Sequence, residues 1–161
     1  YTGVRPSFFM QNLTTTHLPE VRDEHRIYVP AGRGRTNFVD VRDVAEAIAR
    51  VLTRDDHANQ AYTVTGDRSY SYSEVAEKLS RALGFEVRYE PARLPGFLRY
   101  QLSQGRRLPH ALLMYALYSV ARLGKADAAT DTLPRLIGRR PTTLDEFIAD
   151  HANLFVPARA Q

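Results

Sequence analysis

Five histidines, 18 carboxylates and no cysteine are the raw material for chemistry in this chain. The histidines are His17, His25, His57, His110 and His151, and no two have the spacing of a metal-binding pair. Surface or capping roles are therefore expected of them, and no metal. Without cysteine there is no disulfide framework and no thiolate ligand. Asp40 and Asp43 are close enough in sequence to work as an acid–base pair. They also stand at the start of an expected helix, where carboxylates favour the positive end of the dipole. That capping role explains both more cheaply.

Three catalytic patterns fail on inspection. Gly32-Arg33-Gly34 suggests a dinucleotide loop, but the third glycine should come three residues later, and Asn37 stands there. A surface turn is the simpler reading. The only lysines are Lys78 and Lys125, preceded four residues earlier by Glu74 and Ala121. The Tyr-x-x-x-Lys pair of short-chain dehydrogenases is thus absent. No serine sits in a Gly-x-Ser-x-Gly elbow. Asn12-Leu13-Thr14 has the form of a glycosylation sequon and has no meaning in a cytosolic protein. What remains is apolar. Phe8, Phe9, Met10 and Phe38 form a group that suits either a flat ligand pocket or plain core packing.

The elements that must position these residues follow from pattern. Thr2 to Arg5 reads as a strand that Pro6 ends, since proline donates nothing to a ladder. Arg26 to Val29 is extended and closed by Pro30, and Ala31 to Asn37 reads as a loop. Asp43 to Leu52 carries an apolar stripe at Val44, Ile48, Val51 and Leu52, which predicts a helix. Ala61 to Thr65 is β-branched and stops at Gly66. Ser71 and Glu74 fit a capping box that opens a helix to Leu83, burying Val75, Leu79, Ala82 and Leu83. Gly84 then suits a left-handed terminus. Phe85, Val87 and Tyr89 alternate with charges, a strand closed by Pro91. Beyond Pro91 the pattern is mostly helical: Leu94 to Gln104, His110 to Leu123, Asp131 to Ile137, and a last helix from the Thr143–Glu146 capping box through Phe155. The expected class is α/β.

Composition agrees with a single globular unit. The 161 residues are 43% hydrophobic and 25% charged, with a mean hydropathy of −0.38. The net charge of +4 is uneven. The basic excess lies entirely in residues 85–161, which hold 11 basic and 7 acidic side chains. A solvated surface accounts for it, and no nucleic-acid partner is expected. The longest apolar stretch, Ala111 to Val120, falls short of the roughly 20 residues of a membrane span. It is expected to be a buried or interfacial helix, and no membrane partner is expected. The chain opens Tyr-Thr-Gly-Val-Arg-Pro, an apolar strand-like run without a polar lead-in. Such a start is expected inside a larger domain whose earlier half lies elsewhere.

Several segments in order resemble the C-terminal half of the NmrA-like family, the atypical short-chain dehydrogenase/reductase group. They are Arg5-Pro6-x-Phe8-Phe9-Met10-x-Asn12, Gly34-Arg35-Thr36-Asn37-Phe38-Val39-Asp40-Val41-Arg42-Asp43-Val44-Ala45, Ala61 to Gly66, Ser71 to Ala76, and Gly138 to Phe147. Quinone and triphenylmethane reductases of that group look most similar. The resemblance implies the C-terminal portion of a Rossmann-type NAD(P)-binding fold over residues 1–90, followed by a mostly helical substrate lobe over 91–161. The cofactor would be NADP or NAD, with its main binding elements outside this chain. The resemblance places Pro6, Ser7 and Phe8 beside the cofactor and Phe9, Asn12 and Phe38 at the substrate cleft. No catalytic residue is assigned. The implied activity is hydride transfer to quinone-like or other flat electrophiles. A redox sensor without turnover and a cofactor-free interaction module are the alternatives. A small-molecule substrate, a cytoplasmic location and a homodimer are further expectations.

Overall fold

The computed structural model describes residues 1–156 of the chain. Its strands are β1 (Gly3–Pro6), β2 (Phe8–Phe9), β3 (Arg26–Val29), β4 (Arg35–Val39), β5 (Ala61–Val64), β6 (Ser69–Ser71) and β7 (Arg88–Pro91). The helices are α1 (Leu18–Glu24), α2 (Val41–Leu52), α3 (Tyr72–Leu83), α4 (Leu94–Ser103), α5 (Leu108–Arg122), α6 (Thr132–Ile137) and α7 (Leu144–Phe155). Three small sheets result. β1 runs parallel to β5, with Gly3 opposite Ala61 and Pro6 opposite Val64. β4 lies between parallel β2 and antiparallel β6. β3 pairs with parallel β7.

Local chemistry sets most boundaries. Ser71 and Glu74 form the reciprocal capping box of α3, and Thr143 and Glu146 that of α7. Gly84 ends α3 at φ +75°, a conformation that L side chains resist. Pro19, Pro95 and Pro109 stand in the first turns of α1, α4 and α5, where a missing N–H costs no intrahelical bond.

Several expectations need correcting. Residues 35–37 belong to β4 rather than a loop, because the polar β6 supplies their ladder partners. α1 is an additional helix that buries Glu20 and Val21. The apolar face of α2 is Val44, Ala47 and Val51, whereas Ile48 and Leu52 are exposed. β7 begins at Arg88, three residues later than the alternation suggested. Helix α5 buries Ala111, Met114, Tyr118 and Ala121, and leaves Leu112, Leu113, Leu117 and Val120 exposed.

The buried residues form two cores. A smaller core gathers Val39, Val44, Ala47, Val64, Leu133 and Ile137, joining β4, α2, β5 and α6. The larger core combines Met10, Ile27, Phe38, Tyr72, Val75 and Leu79 with Phe97, Tyr118 and Phe147. The later helices therefore serve both cores.

Asp40 caps α2 and is fully buried. Its carboxylate accepts from the Arg42 backbone N–H at 2.8 Å, the Arg42 guanidinium at 2.7 Å and the Gln11 amide at 2.9 Å. Burial alone would push its pKa up. The donations from Arg42 and Gln11 outweigh that and hold it below the ordinary carboxylate value. A depressed folded pKa contributes stability that is present above the unfolded value of about 3.9 and lost as pH falls through the folded value. Asp40→Asn should lower stability at neutral pH and flatten the decline below about pH 4. Urea titrations across that range check this, and an unchanged acid limb would contradict it.

Candidate functional site

Between the end of β1, the start of β4 and the inner face of α5 lies a cleft of about 500 Å³. Its floor is Pro6, Ser7 and Phe8, which β1 and β2 present where the parallel strands end. One wall is Thr36, Asn37 and Tyr72, and the other is Leu117, Tyr118, Val120 and Ala121. Arg5 and Lys125 stand at the rim, both exposed. Gly34 lets α5 approach: a Cβ there would lie 2.0 Å from the Ala121 carbonyl oxygen.

Aromatic contacts fix the interior. Phe8 meets Phe38 edge-on at 5.5 Å, and Phe38 meets Tyr72 edge-on at 5.7 Å. Tyr118 lies 5.8 Å from Phe8 and 6.0 Å from Tyr72. Such edge-to-face pairs add order as well as buried area. Ser7 donates its backbone N–H to the Val64 carbonyl at 2.9 Å and its hydroxyl to Asn37 Oδ1 at 2.9 Å. The Gly66 N–H donates to the same oxygen at 2.7 Å. Because a backbone N–H can only donate, Asn37 Oδ1 is fixed as the acceptor and Nδ2 as the free donor.

The cleft thus brings Pro6, Ser7 and Phe8 together. Phe9 instead turns onto the smaller core. Asn12 lies in the short 3₁₀ turn Met10–Asn12, where its carbonyl accepts from the His17 N–H at 2.9 Å. Phe38 has no exposed surface and backs the cleft through Phe8 and Tyr72 instead of lining it. Asp40 and Asp43 do not form an acid–base pair in the cleft: each is tied into hydrogen bonds elsewhere. Asp43 does not cap α2 but reaches Thr142 and Arg139. Thr36, Asn37, Tyr72 and Tyr118 are cleft residues that pattern reading did not single out. Among the described residues, no cluster of three or more His, Cys, Asp or Glu could hold a metal.

Tyr118 is anchored from behind. Its phenol is hydrogen-bonded to His17 Nε2 at 2.8 Å, and His17 Nδ1 faces Glu20 Oε2 at 3.2 Å. Glu20 also accepts from the Tyr28 N–H at 3.2 Å. All three side chains of this series are buried. Burial and the nearby Glu20 charge push the Tyr118 phenol up, so it stays protonated. Tyr118→Phe leaves a buried imidazole nitrogen without its partner and should cost about 1–2 kcal/mol. Chemical denaturation measures this, and a cost near zero would mean that the ring alone holds α5.

Residues 1–148 match the model of the NmrA-like family. The NAD(P)H azoreductase of Xenophilus azovorans is 38% identical over 157 residues, 96% of this chain and 54% of that enzyme. The Citrobacter sp. triphenylmethane reductase complexed with NADP(H) superposes with a TM-score of 0.82 at 26% identity, over 94% of this chain and 53% of that one. The NADPH-dependent quinone oxidoreductase of Escherichia coli complexed with NADPH gives 0.83 at 25% identity, over 91% and 51%. The chain spans about half the length of the curated relatives it matches. Its mixed α/β architecture is that of the Rossmann-like NAD(P)-binding reductases. From the ordered motifs, the fold and these matches, the chain belongs to the NmrA-like family.

Proposed function

We propose that this chain forms the substrate side of an NAD(P)H-dependent oxidoreductase that reduces flat, electrophilic small molecules, quinone-like rings among them. The observation that carries the reading is the cleft between Pro6–Phe8 and α5: narrow, aromatic, and floored by the ends of parallel strands. Ligands of open α/β sheets collect at such strand ends. The relatives named above are an azoreductase, a triphenylmethane reductase and a quinone oxidoreductase, names that point to aromatic or conjugated substrates.

The residues present fit a nicotinamide ring. Pro6, Ser7 and Phe8 offer an apolar ledge whose backbone is pinned by β5 through Ser7 and Val64. When bound, the dinucleotide supplies the hydride. The chain's own residues orient the acceptor ring and exclude water from it. Edge contacts to Phe38 and Tyr72 hold Phe8 in the floor and Tyr118 in the wall, so the slot is formed before a ligand arrives. Arg5 and Lys125 place positive charge at the mouth, suited to a phosphate-bearing or anionic ligand. In this reading the glycine-rich phosphate loop lies in the half of the relatives' length that this chain does not span.

NADPH oxidation in the presence of 1,4-naphthoquinone tests the proposal. It is measured on this chain and on a form extended upstream in its source gene. Turnover by the extended form alone is the expected result. No turnover by either form, across quinones, azo dyes and triphenylmethane dyes, overturns it.

A further inference from the structure

Among the described residues, four buried side-chain atoms have no hydrogen-bond partner: Thr36 Oγ1, Asn37 Nδ2, Ser69 Oγ and Tyr72 Oη. Three of the four belong to residues that line the cleft. Thr36, Asn37 and Tyr72 are exposed by only 3%, 1% and 1%, so bulk water does not satisfy them. A buried polar atom left unmatched costs about 1–3 kcal/mol. Three on one wall of the cleft make a pattern that packing alone does not explain.

Their chemistry is shared. Asn37 Nδ2 is a donor, because Ser7 and Gly66 have already claimed Oδ1. Burial, with the Tyr118 phenol nearby, pushes the Tyr72 phenol well above its ordinary value. It is therefore a neutral O–H donor at any physiological pH. The Thr36 hydroxyl lies beside it and opposes that rise through a side-chain contact. A wall of neutral donors, with no charge among them, is matched to a neutral acceptor on a flat ring.

We propose that Asn37 Nδ2, Tyr72 Oη and Thr36 Oγ1 form the subsite that binds the carbonyl-type oxygen of the substrate ring. This rests on the oxidoreductase reading for the word substrate, but its chemistry is independent of turnover. The same donors that hold the oxygen would draw electron density towards it and favour hydride attack on the ring.

The test exploits the absence of protein partners. Tyr72→Phe and Thr36→Val remove only the unmatched hydroxyls and keep shape. Neither should destabilise the ligand-free protein, so each should hold or raise its unfolding midpoint. Binding is read by calorimetry with 1,4-naphthoquinone, with naphthalene as its oxygen-free skeleton, and with nicotinamide mononucleotide. Expected is a loss of about tenfold in naphthoquinone affinity for each variant, with naphthalene and the mononucleotide unaffected. Three kinds of result overturn the proposal. The first is equal change for naphthoquinone and naphthalene, or no naphthoquinone binding to the parent protein. The second is a selective loss for the mononucleotide, which would assign the wall to the cofactor. The third is a lower unfolding midpoint in both variants, which would assign the hydroxyls a structural role. Selective naphthoquinone loss without NADPH turnover would sink the hydride-transfer reading and leave the subsite standing.

Discussion

Gly66→Ala is expected to destabilise the chain by about 4 kcal/mol or more. A Cβ on Gly66 would lie 1.8 Å from the Phe38 carbonyl oxygen and 2.9 Å from its carbonyl carbon. Both atoms belong to the backbone of β4, so no rotamer change relieves the clash. The strand or the turn after β5 must move. Either movement breaks the 2.7 Å bond from the Gly66 N–H to Asn37 Oδ1. That bond also fixes the orientation of the cleft's free amide, so stability and naphthoquinone binding should fall together. Gly3→Ala is the matched control, because a Cβ there meets nothing within 4 Å. It should stay within about 0.5 kcal/mol of the parent. Equal urea midpoints for the two variants would show that β4 and β5 can separate cheaply, and the close approach would lose its meaning.

The same residue shows why sequence reading stopped where it did. Gly66 was legible as a strand terminator, a local property. Its contact with Phe38 was not, because the two are brought together only when β5 and β4 pack. The elements read well from pattern are those whose signal is local. The boxes at Ser71–Glu74 and Thr143–Glu146 satisfy amides within one turn, and Gly84 and Gly138 take positive φ within one residue. The sequence pattern does not show β4 at Arg35-Thr36-Asn37 because Thr36 is the one strand former there, between Arg35 and Asn37. Their extended state comes from β6, over 30 residues away. α1 escaped because only Glu20 and Val21 of its seven residues are buried, too few for a periodic stripe.

The site divides in the same way. Pro6, Ser7 and Phe8, which the family resemblance sets beside the cofactor, line the floor of the cleft. The opposite wall could not be foreseen. Asn37 was counted into a loop, Tyr72 read as the first residue of a helix, and Tyr118 as part of an apolar run. They meet because β4, α3 and α5 converge on Phe38 and Phe8, and no short-range pattern encodes that convergence. The buried His17 offers a similar lesson. Its partners Glu20 and Tyr118 are three and 101 residues away, and only the nearer one lies within reach of a helical pattern.

Asp43→Ala is the second large effect, expected at about 3 kcal/mol. Asp43 is fully buried, yet its carboxylate faces a segment 99 residues distant. Oδ2 accepts from the Thr142 N–H at 2.6 Å, and Oδ1 accepts from the Thr142 hydroxyl at 3.1 Å and from Arg139 at 2.7 Å. Alanine would strand the Thr142 N–H and leave the Arg139 guanidinium with Glu46 and the Arg140 carbonyl. Thr142 immediately precedes Thr143, the cap of α7, so the loss should spread along the first turn of that helix. Hydrogen exchange should therefore accelerate at Thr142 and through residues 144–147, ahead of the rest of the chain. Glu46→Ala provides the contrast. It removes the other carboxylate that Arg139 meets, on the exposed side of α2, and should barely move the unfolding midpoint. Equal midpoints for the two variants would reduce Asp43 to a surface ion pair. A large gap between them would show that α2 fastens the last helix to the smaller core through one buried carboxylate. α6 packs on α2 in the same region, so that fastening would bind the later helices to the strands that build the cleft.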